Sequence, residues 1–384
     1  MKQQFPLLQK KDIAYLDNAA TTQKPKRVIT AETNVYEEGY ANPHRGIYPL
    51  ATKATKILED ARETVADYLN ADKEEIIFQR NATEGLNTVA RNVDVDGDIL
   101  VTEYEHHSNY LPWKEKAKRE NRDFQTVPYD DIDTIGEYVD EQTGIVAFTW
   151  MSNVTGKIID ISETVKKIRR ENEDTIIVVD CAQGIPHLPT DVAKWDVDFL
   201  SFSGHKIYGP TGAGVLYGKK AQLKQLEPSL YGGGMVHDSL NDEWKDTPHK
   251  FEAGTINVPQ IHGLKEAITF LDENLEQIRE DEEALKTYLL KRLRNRDIQI
   301  YGHEKGRYGP VVSFKVDDIH PHDLADILGR HNVGIRAGHH CAQPLMKSLE
   351  TVATARASIG CYNDEDDVDR LIEAIEDARG ILNG

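Results

Sequence analysis

FLSFSGHKIYGPTGAGVLYG, residues 199–218, is the stretch around which the rest of the chain falls into place. An apolar, β-rich run through Phe202 stops at Ser203-Gly204-His205-Lys206. A Gly- and Pro-rich turn follows, and a second apolar run, Gly214 to Tyr217, leaves it. A lysine in such a turn sits at the mouth of a sheet, where walls can strip water from its ammonium and lower its pKa. A neutral amine is what condensation with an aldehyde to a Schiff base requires. Ser203 and His205 flank the lysine with a hydroxyl and an imidazole, both able to hold phosphate oxygens. Taken alone, S-G-H-K reads better as an ordinary surface hairpin with an exposed lysine, and it is the rest of the chain that reverses that reading.

Just upstream, Thr175 to Asp180 (TIIVVD) is a β-branched run closed by a carboxylate and followed by Cys181-Ala182-Gln183-Gly184. A carboxylate ending a buried strand is costly without a cationic or hydrogen-bonding partner. It reads either as a cap on the next segment or as the holder of a protonated ring nitrogen. Gly144 to Trp150 predicts another strand, ending in Met151-Ser152-Asn153-Val154-Thr155-Gly156. Ile99 to Thr102 predicts one ending at Glu105-His106-His107-Ser108-Asn109. Adjacent histidines point to opposite sides of an extended chain, so one at most faces any given site. Glu75 to Gln79 leads through NATEG (81–85) into a helix, a place where free N–H groups and the helix dipole collect an anion. Thr83 can add its hydroxyl there, or can merely cap the helix.

Strands alternating with helices from about Ile76 to Tyr217 predict a mostly parallel sheet covered on both faces. Open sheets of this kind bind ligands beyond the C-terminal ends of their strands. Tyr231 to Asn257, with GGGMV and FEAGTIN, reads as an excursion over the site. Helices are expected from Pro259 to Asn274 and from about Leu275 to Arg294, with the domain change between or within them. Strands at 298–301, 311–316, 333–336 and 355–362, with helices at 322–331 and from Asp364, predict a compact α+β unit. It contains Arg336-Ala337-Gly338-His339-His340-Cys341-Ala342-Gln343-Pro344, where imidazoles and an arginine beside a thiol favour the thiolate.

The chain has 384 residues and a formal charge of −19, which speaks against nucleic-acid or anionic-membrane binding as its main task. The start lacks a signal-peptide h-region and no apolar run reaches membrane-spanning length, so a cytoplasmic location is expected. Three cysteines without a C-x-x-C pair predict neither a disulfide framework nor a structural metal site, and leave a thiol available for chemistry.

Together these pieces resemble the class V group of fold-type I pyridoxal-phosphate enzymes, and within it the group II cysteine desulfurases of the Suf type. The resemblance rests on YLDNAATT, YANPHRG, NATEGLN, EHHSN, SNVTG, VVDCAQ, SFSGHKIYGPTG, FEAGTIN, RAGHHCAQPLM and TARASIGCYN, in that order. The resemblance implies an α/β fold: a large domain over 16–272 built on a mostly parallel, seven-stranded-type sheet. A small α+β domain, 1–15 with 273–384, would carry the nucleophilic cysteine. Lys206 would form the Schiff base and move the substrate's α-proton. Asp180 would pair with the pyridinium nitrogen, and Gln183 would bind the ring's phenolic oxygen. Thr83, Ser203 and His205 would hold the phosphate, with Thr255 reaching it from a second subunit. His106 would stack on the ring, Asn153 and Arg356 would bind the substrate carboxylate, and Cys341 would take the sulfur as a persulfide. The loop bearing Arg45 would approach the partner's site.

The implied activity turns L-cysteine into L-alanine and serves iron–sulfur cluster assembly, in a homodimer that hands sulfur to a Suf-type acceptor protein. Selenocysteine lyases, kynureninase-like hydrolases and aminotransferases share the scaffold and would need Lys206 and Asp180. Only sulfur or selenium abstraction needs Cys341. A non-catalytic sulfur-relay platform is the alternative outside enzymes.

Overall fold

The computed structural model of the protein describes every residue except Arg45, Asp242, Asp297 and Gly384. The expectation attached to Arg45 therefore lies outside the described residues. Seven strands form the large sheet, in the order Ile76–Gln79, Gly214–Gly218, Phe199–Ser203, Ile176–Asp180, Thr143–Thr149, Asp98–Thr102, Phe124–Val127. Gly214–Gly218 runs antiparallel to both neighbours, and the other four pairings are parallel. Thr143–Thr149 and Ile176–Asp180 are buried along their whole length, as strands covered by helices on both faces must be. Their continuous apolar runs follow from that burial. Because the central strands are parallel, Thr102, Thr149, Asp180 and Ser203 all end at one edge, and the segments that follow them share a crevice.

A second, four-stranded sheet is antiparallel throughout, in the order Ile298–Tyr301, Val311–Val316, Thr354–Ser358, Arg336–Gly338. Leu324, Ile327 and Leu328 of the helix Pro321–Arg330 pack into its core with Leu371, Ile372 and Ile375 of the C-terminal helix. Ala14 and Leu16, from the start of the chain, belong to the same core, and Ala14–Tyr15 pairs in parallel with Val333–Gly334.

Three expectations need correction. The strand expected over 333–336 is split: Val333–Gly334 pairs with the N-terminal segment, whereas Arg336–Gly338 pairs with Thr354–Ser358. Its partner, expected to run to Tyr362, stops at Ser358. The two helices expected over 259–294 are one, Val258–Arg294, of 37 residues. Pro259 lies in its first turn, where no N–H bond is lost, and the charged middle is rich in good helix formers without a breaker. The excursion holds two short antiparallel strands, Val236–Asp238 and Glu243–Trp244, that do not join the large sheet.

One buried ion pair ties the excursion to the sheet. Arg62, 1 % exposed, makes two bonds of 2.8 Å to the Glu252 carboxylate and one of 2.7 Å to the Ile76 carbonyl. Glu252 also accepts the Phe78 N–H at 2.9 Å. Removing one partner strands the other charge away from water, which typically costs about 3–5 kcal/mol. Arg62→Met should therefore lower the unfolding free energy by about that amount in a denaturant titration. Arg62→Met combined with Glu252→Leu should recover most of it.

Candidate active site

The loops that follow the parallel strands enclose a cavity of about 550 Å³. Thr83, His106, Asn153, Asp180, Gln183, Ser203, His205, Lys206, Cys341 and Arg356 all line it. Thr255 does not. It lines a different cavity, with His44, His249 and Glu252.

Lys206 stands in the short helical turn Gly204–Lys206 that closes the strand Phe199–Ser203. Burial lowers its pKa to about 8, against a pull upward from Asp180 and a further push downward from Arg356. The amine thus loses its proton far more readily than an ordinary lysine, and a neutral fraction is present near physiological pH. Asp180 is buried at the end of its strand, with one carboxylate oxygen accepting the Ala182 N–H at 2.9 Å. Burial raises its pKa, and the Ala182 bond and the nearby Lys206 oppose that. Gln183 donates to the Ala19 carbonyl at 2.7 Å, which orients its side chain across the cavity floor.

At one end of the cavity stands the helix Ala82–Asn92. Its N-cap is Asn81, whose side chain accepts the Glu84 N–H at 3.0 Å. The reading of Thr83 as a mere cap is thereby corrected. Its hydroxyl instead lies 2.7 Å from that of Ser108, a residue sequence reasoning passed over. Ser203 accepts the Ala82 N–H at 2.9 Å, so the strand end and the helix start are locked together. His205 lies 3.2 Å from the Thr21 hydroxyl, and burial, then Lys206 and Lys24, hold its pKa down to about 4. Hydroxyls, a neutral imidazole and a helix start form an end suited to a phosphate.

The histidine pair separates as the backbone geometry requires. His106 lines the cavity and its Nδ1 accepts the Ser108 N–H at 3.1 Å; burial first, then Lys206, lowers its pKa to about 3. His107 begins the next helix, and its ring lies 5.7 Å from that of His339.

The opposite wall comes from the smaller sheet. Arg356, 2 % exposed, donates from Nη1 to the Asn153 carbonyl at 2.8 Å and from Nη2 to Asp17 at 3.3 Å. Its Nε is buried without a hydrogen-bond partner. Asp17 also receives a two-pronged contact from Arg336, with Nη2 at 2.8 Å. Arg336 is expected only as the arginine beside the thiol and Asp17 not at all; Y-L-D-N offers no signal until its arginine partners are known.

Cys341 is exposed at the cavity mouth, whereas Cys181 and Cys361 are buried. Burial pushes both inner thiols well up, leaving Cys341 as the accessible sulfur. His340 and Cys341 both have left-handed backbones, with φ of 50° and 56°, a rarity for non-glycine residues that tends to mark functional sites. The turn is pinned on every side. Asn153 donates to the His340 carbonyl at 2.7 Å, and the His107 N–H donates to that of Cys341, also at 2.7 Å. The Cys341 N–H donates to His339 Nδ1 at 3.0 Å.

The donor set suits pyridoxal phosphate on its own terms. Hydroxyls and an imidazole able to hold a phosphate line the cavity together with a buried carboxylate able to pair with a protonated ring nitrogen and a buried lysine of lowered pKa. Arg356, which lines the same cavity, is a cation able to pair with a substrate carboxylate.

Comparisons with known proteins agree with this arrangement. The family profile described as aminotransferase class-V matches residues 14–371. The chain is 41 % identical to a probable cysteine desulfurase of Staphylococcus aureus, over 98 % of this chain and 95 % of that protein. Among solved structures it resembles the apo cysteine desulfurase of Thermococcus onnurineus NA1, with a TM-score of 0.92 and 36 % identity over 99 % of this chain and 97 % of that one. It also resembles the cysteine desulfurase CsdA of Escherichia coli, with a TM-score of 0.89 and 35 % identity over 99 % and 98 %.

Proposed function

This chain belongs to the aminotransferase class-V family, and from that premise we propose that it is a pyridoxal-phosphate-dependent cysteine desulfurase. The observation that carries the reading is a buried lysine of lowered pKa near a buried carboxylate, with an exposed cysteine at the mouth of the same cavity. Bound pyridoxal phosphate supplies the electron sink that lets the substrate's bond to sulfur break. The chain's own residues do the rest. Asp180 supplies the negative charge that keeps the ring nitrogen protonated, while Gln183 binds the phenolic oxygen. Thr83, Ser203 and His205 hold the phosphate, and His106 covers one face of the ring. Arg356 and Asn153 orient the substrate carboxylate, so that the α-proton comes within reach of Lys206 Nζ. With a pKa of about 8, that amine can take the proton and return it. Cys341 Sγ, as the thiolate, would attack the substrate's sulfur, forming an S–S bond as the C–S bond breaks; the electron pair of that bond passes to the substrate carbon, which takes up a proton, and alanine leaves.

We read residues 16–272 as the cofactor-holding unit and 1–15 with 273–384 as the unit that brings the cysteine. Thr255, remote from its own chain's cavity, is read as completing the phosphate end in a second copy, so the working form is a homodimer. Thr255→Ala should then weaken cofactor binding although the residue lies outside this subunit's cavity. We place the persulfide's sulfur on a Suf-type acceptor protein bound for iron–sulfur cluster assembly, in the cytoplasm. Among the described residues no helix is long and apolar enough to cross a membrane.

The deciding experiment incubates the protein with L-cysteine, and separately with L-selenocysteine, and measures alanine together with enzyme-bound persulfide. Alanine with a persulfide on Cys341 is expected from cysteine. Pyruvate, a transamination product, or alanine preferentially from selenocysteine would overturn the assignment.

Asp180→Ala gives a graded test. An opposite charge at close range shifts a pKa by about 1–3 units, so its loss should deprotonate the ring nitrogen. The variant should keep part of its cofactor, while alanine production falls at least about tenfold. Unchanged turnover would remove Asp180 from this role.

A further inference from the structure

The segment Asp17 to Lys24 reaches from the arginines of the smaller sheet to the lysine turn. Asp17 meets Arg336 and Arg356, the Ala19 carbonyl receives Gln183, and Ala19 and Ala20 form part of the cavity wall. Its last residues converge on one atom, the carbonyl oxygen of His205, directly before Lys206. That oxygen accepts the Thr22 N–H at 3.0 Å, the Thr21 hydroxyl at 3.0 Å, the Thr22 hydroxyl at 3.1 Å and Lys24 Nζ at 3.0 Å. The Thr22 hydroxyl in turn accepts the Tyr208 N–H at 2.8 Å, so the segment grips the lysine turn on both sides of Lys206.

Two threonines and a backbone N–H already saturate a carbonyl with two lone pairs. Lys24 adds a fourth donor, and it does so with a half-buried ammonium that has no salt-bridge partner among the described residues; its other contact is the Thr22 carbonyl. Burial pulls its pKa down to about 8, with Glu32 alone opposing. Carrying a charge out of water to a carbonyl that needs no further donor makes physical sense only if the charge serves something else. The groups lining the adjacent end of the cavity, Thr83, Ser203 and His205, supply hydroxyls and a neutral imidazole, and the cation beside them, Lys206, is the group that the cofactor's aldehyde would take up.

We infer that Lys24 is the cation that balances the cofactor's phosphate, acting through the His205 peptide as a positioning residue of the lysine turn. The inference rests on the pyridoxal-phosphate reading above. Its charge lies behind the first layer of ligands, where it lowers the cost of bringing a dianion into the cavity without itself lining the wall. A role confined to holding the turn would affect any pyridoxal ring alike. A role toward the phosphate would not.

The test strips the full-length protein of cofactor with hydroxylamine and titrates it by absorbance with pyridoxal phosphate and, separately, with pyridoxal, which lacks the phosphate. Lys24→Met is expected to weaken pyridoxal phosphate by about tenfold or more and to leave pyridoxal within about twofold. An equal loss on both ligands, or no loss on either, overturns the inference. If the unmodified protein binds no pyridoxal phosphate, the functional reading itself has failed, and the two failures are thus distinct. Should Lys24→Met not fold, judged by the apoprotein's melting curve, the unmodified protein gives the answer. Acetic anhydride labelling of Lys24, followed by mass spectrometry, should slow when pyridoxal phosphate is bound and not when pyridoxal is. Identical labelling in both states overturns it.

Discussion

Lys206→Ala should leave a folded protein that cannot be covalently linked to pyridoxal phosphate and makes no alanine above background. The loss is large because one side chain is asked for two tasks, holding the cofactor and moving a proton. A positioned acid–base group alone contributes about 10²–10⁴-fold. Borohydride reduction of the unmodified protein followed by mass spectrometry should place the adduct on Lys206; an adduct on another lysine would defeat the assignment. Burial also predicts how loading depends on pH. With the amine's pKa pulled to about 8, the rate of cofactor uptake by the apoprotein should rise through a midpoint near that value, where an ordinary lysine would still be protonated. Stability should move the other way from most active-site truncations. A lysine whose folded pKa lies below its unfolded one penalises the folded state fully below the folded pKa, and the penalty fades as pH rises toward the unfolded value. At about pH 7 the apo Lys206→Ala variant should therefore melt no lower than its parent.

What could be read in advance was chemistry placed at strand ends. Asp180 follows TIIVV, Lys206 follows FLSFS, and His106 follows ILVT by a few residues. A parallel sheet brings such positions together without any knowledge of side-chain contacts. The strand Phe124–Val127 escaped notice because it is a short edge strand, half exposed, with Gln125 and Thr126 between its apolar ends. The long helix was divided in two because its middle carries charge on nearly every face. Yet Glu282 and Lys286 in that stretch are buried, Glu282 against His187 at 2.7 Å. Pattern reading treats a charged residue as solvated and cannot see its partner a hundred residues away.

Within the site the same limit applies. Glu105 sits beside the legible His106 yet carries no local signal. In the structure it is fully buried and accepts from Thr102, Asn109 and the Thr149 N–H at 2.5, 2.6 and 2.9 Å. Two strand ends and the start of the following helix are tied together by that carboxyl, whose pKa burial raises to about 8. Asp17 and Arg336 are of the same kind, since a shared carboxylate between two arginines exists only once the N-terminal segment has met the smaller sheet. Thr255 shows the converse. Its motif reads as part of a loop outside the sheet, as the structure has it, but it lines a separate cavity, so no role for it at Lys206 follows from one chain's geometry.

Cys341→Ser should keep the cofactor's colour and the binding of cysteine while losing the persulfide and the first rapid release of alanine. In the unmodified protein without an acceptor, that release should amount to about one alanine per site, followed by a slow phase. The reason lies in the turn that carries the thiol. Two successive left-handed residues cost about 1–3 kcal/mol each, and such a conformation persists only where its surroundings hold it. Here Asn153, His107 and His339 engage the turn's carbonyls and N–H, and the helix Gln343–Ser348 begins two residues later. A thiol held this firmly is well placed over one reacting sulfur, which favours that single transfer. The same hold denies it the swing needed to deliver the sulfur elsewhere. Discharge then waits for an acceptor protein that comes to the mouth, or for a strong thiol reductant, and either should accelerate the slow phase. Asn153→Ala releases one of the three ties, but it also touches the proposed substrate site. His339→Ala is the cleaner probe, expected to leave the first turnover largely intact while changing the slow phase. A fast steady state on cysteine alone, with no burst, would show that discharge does not limit turnover and that the pinned turn has no kinetic consequence.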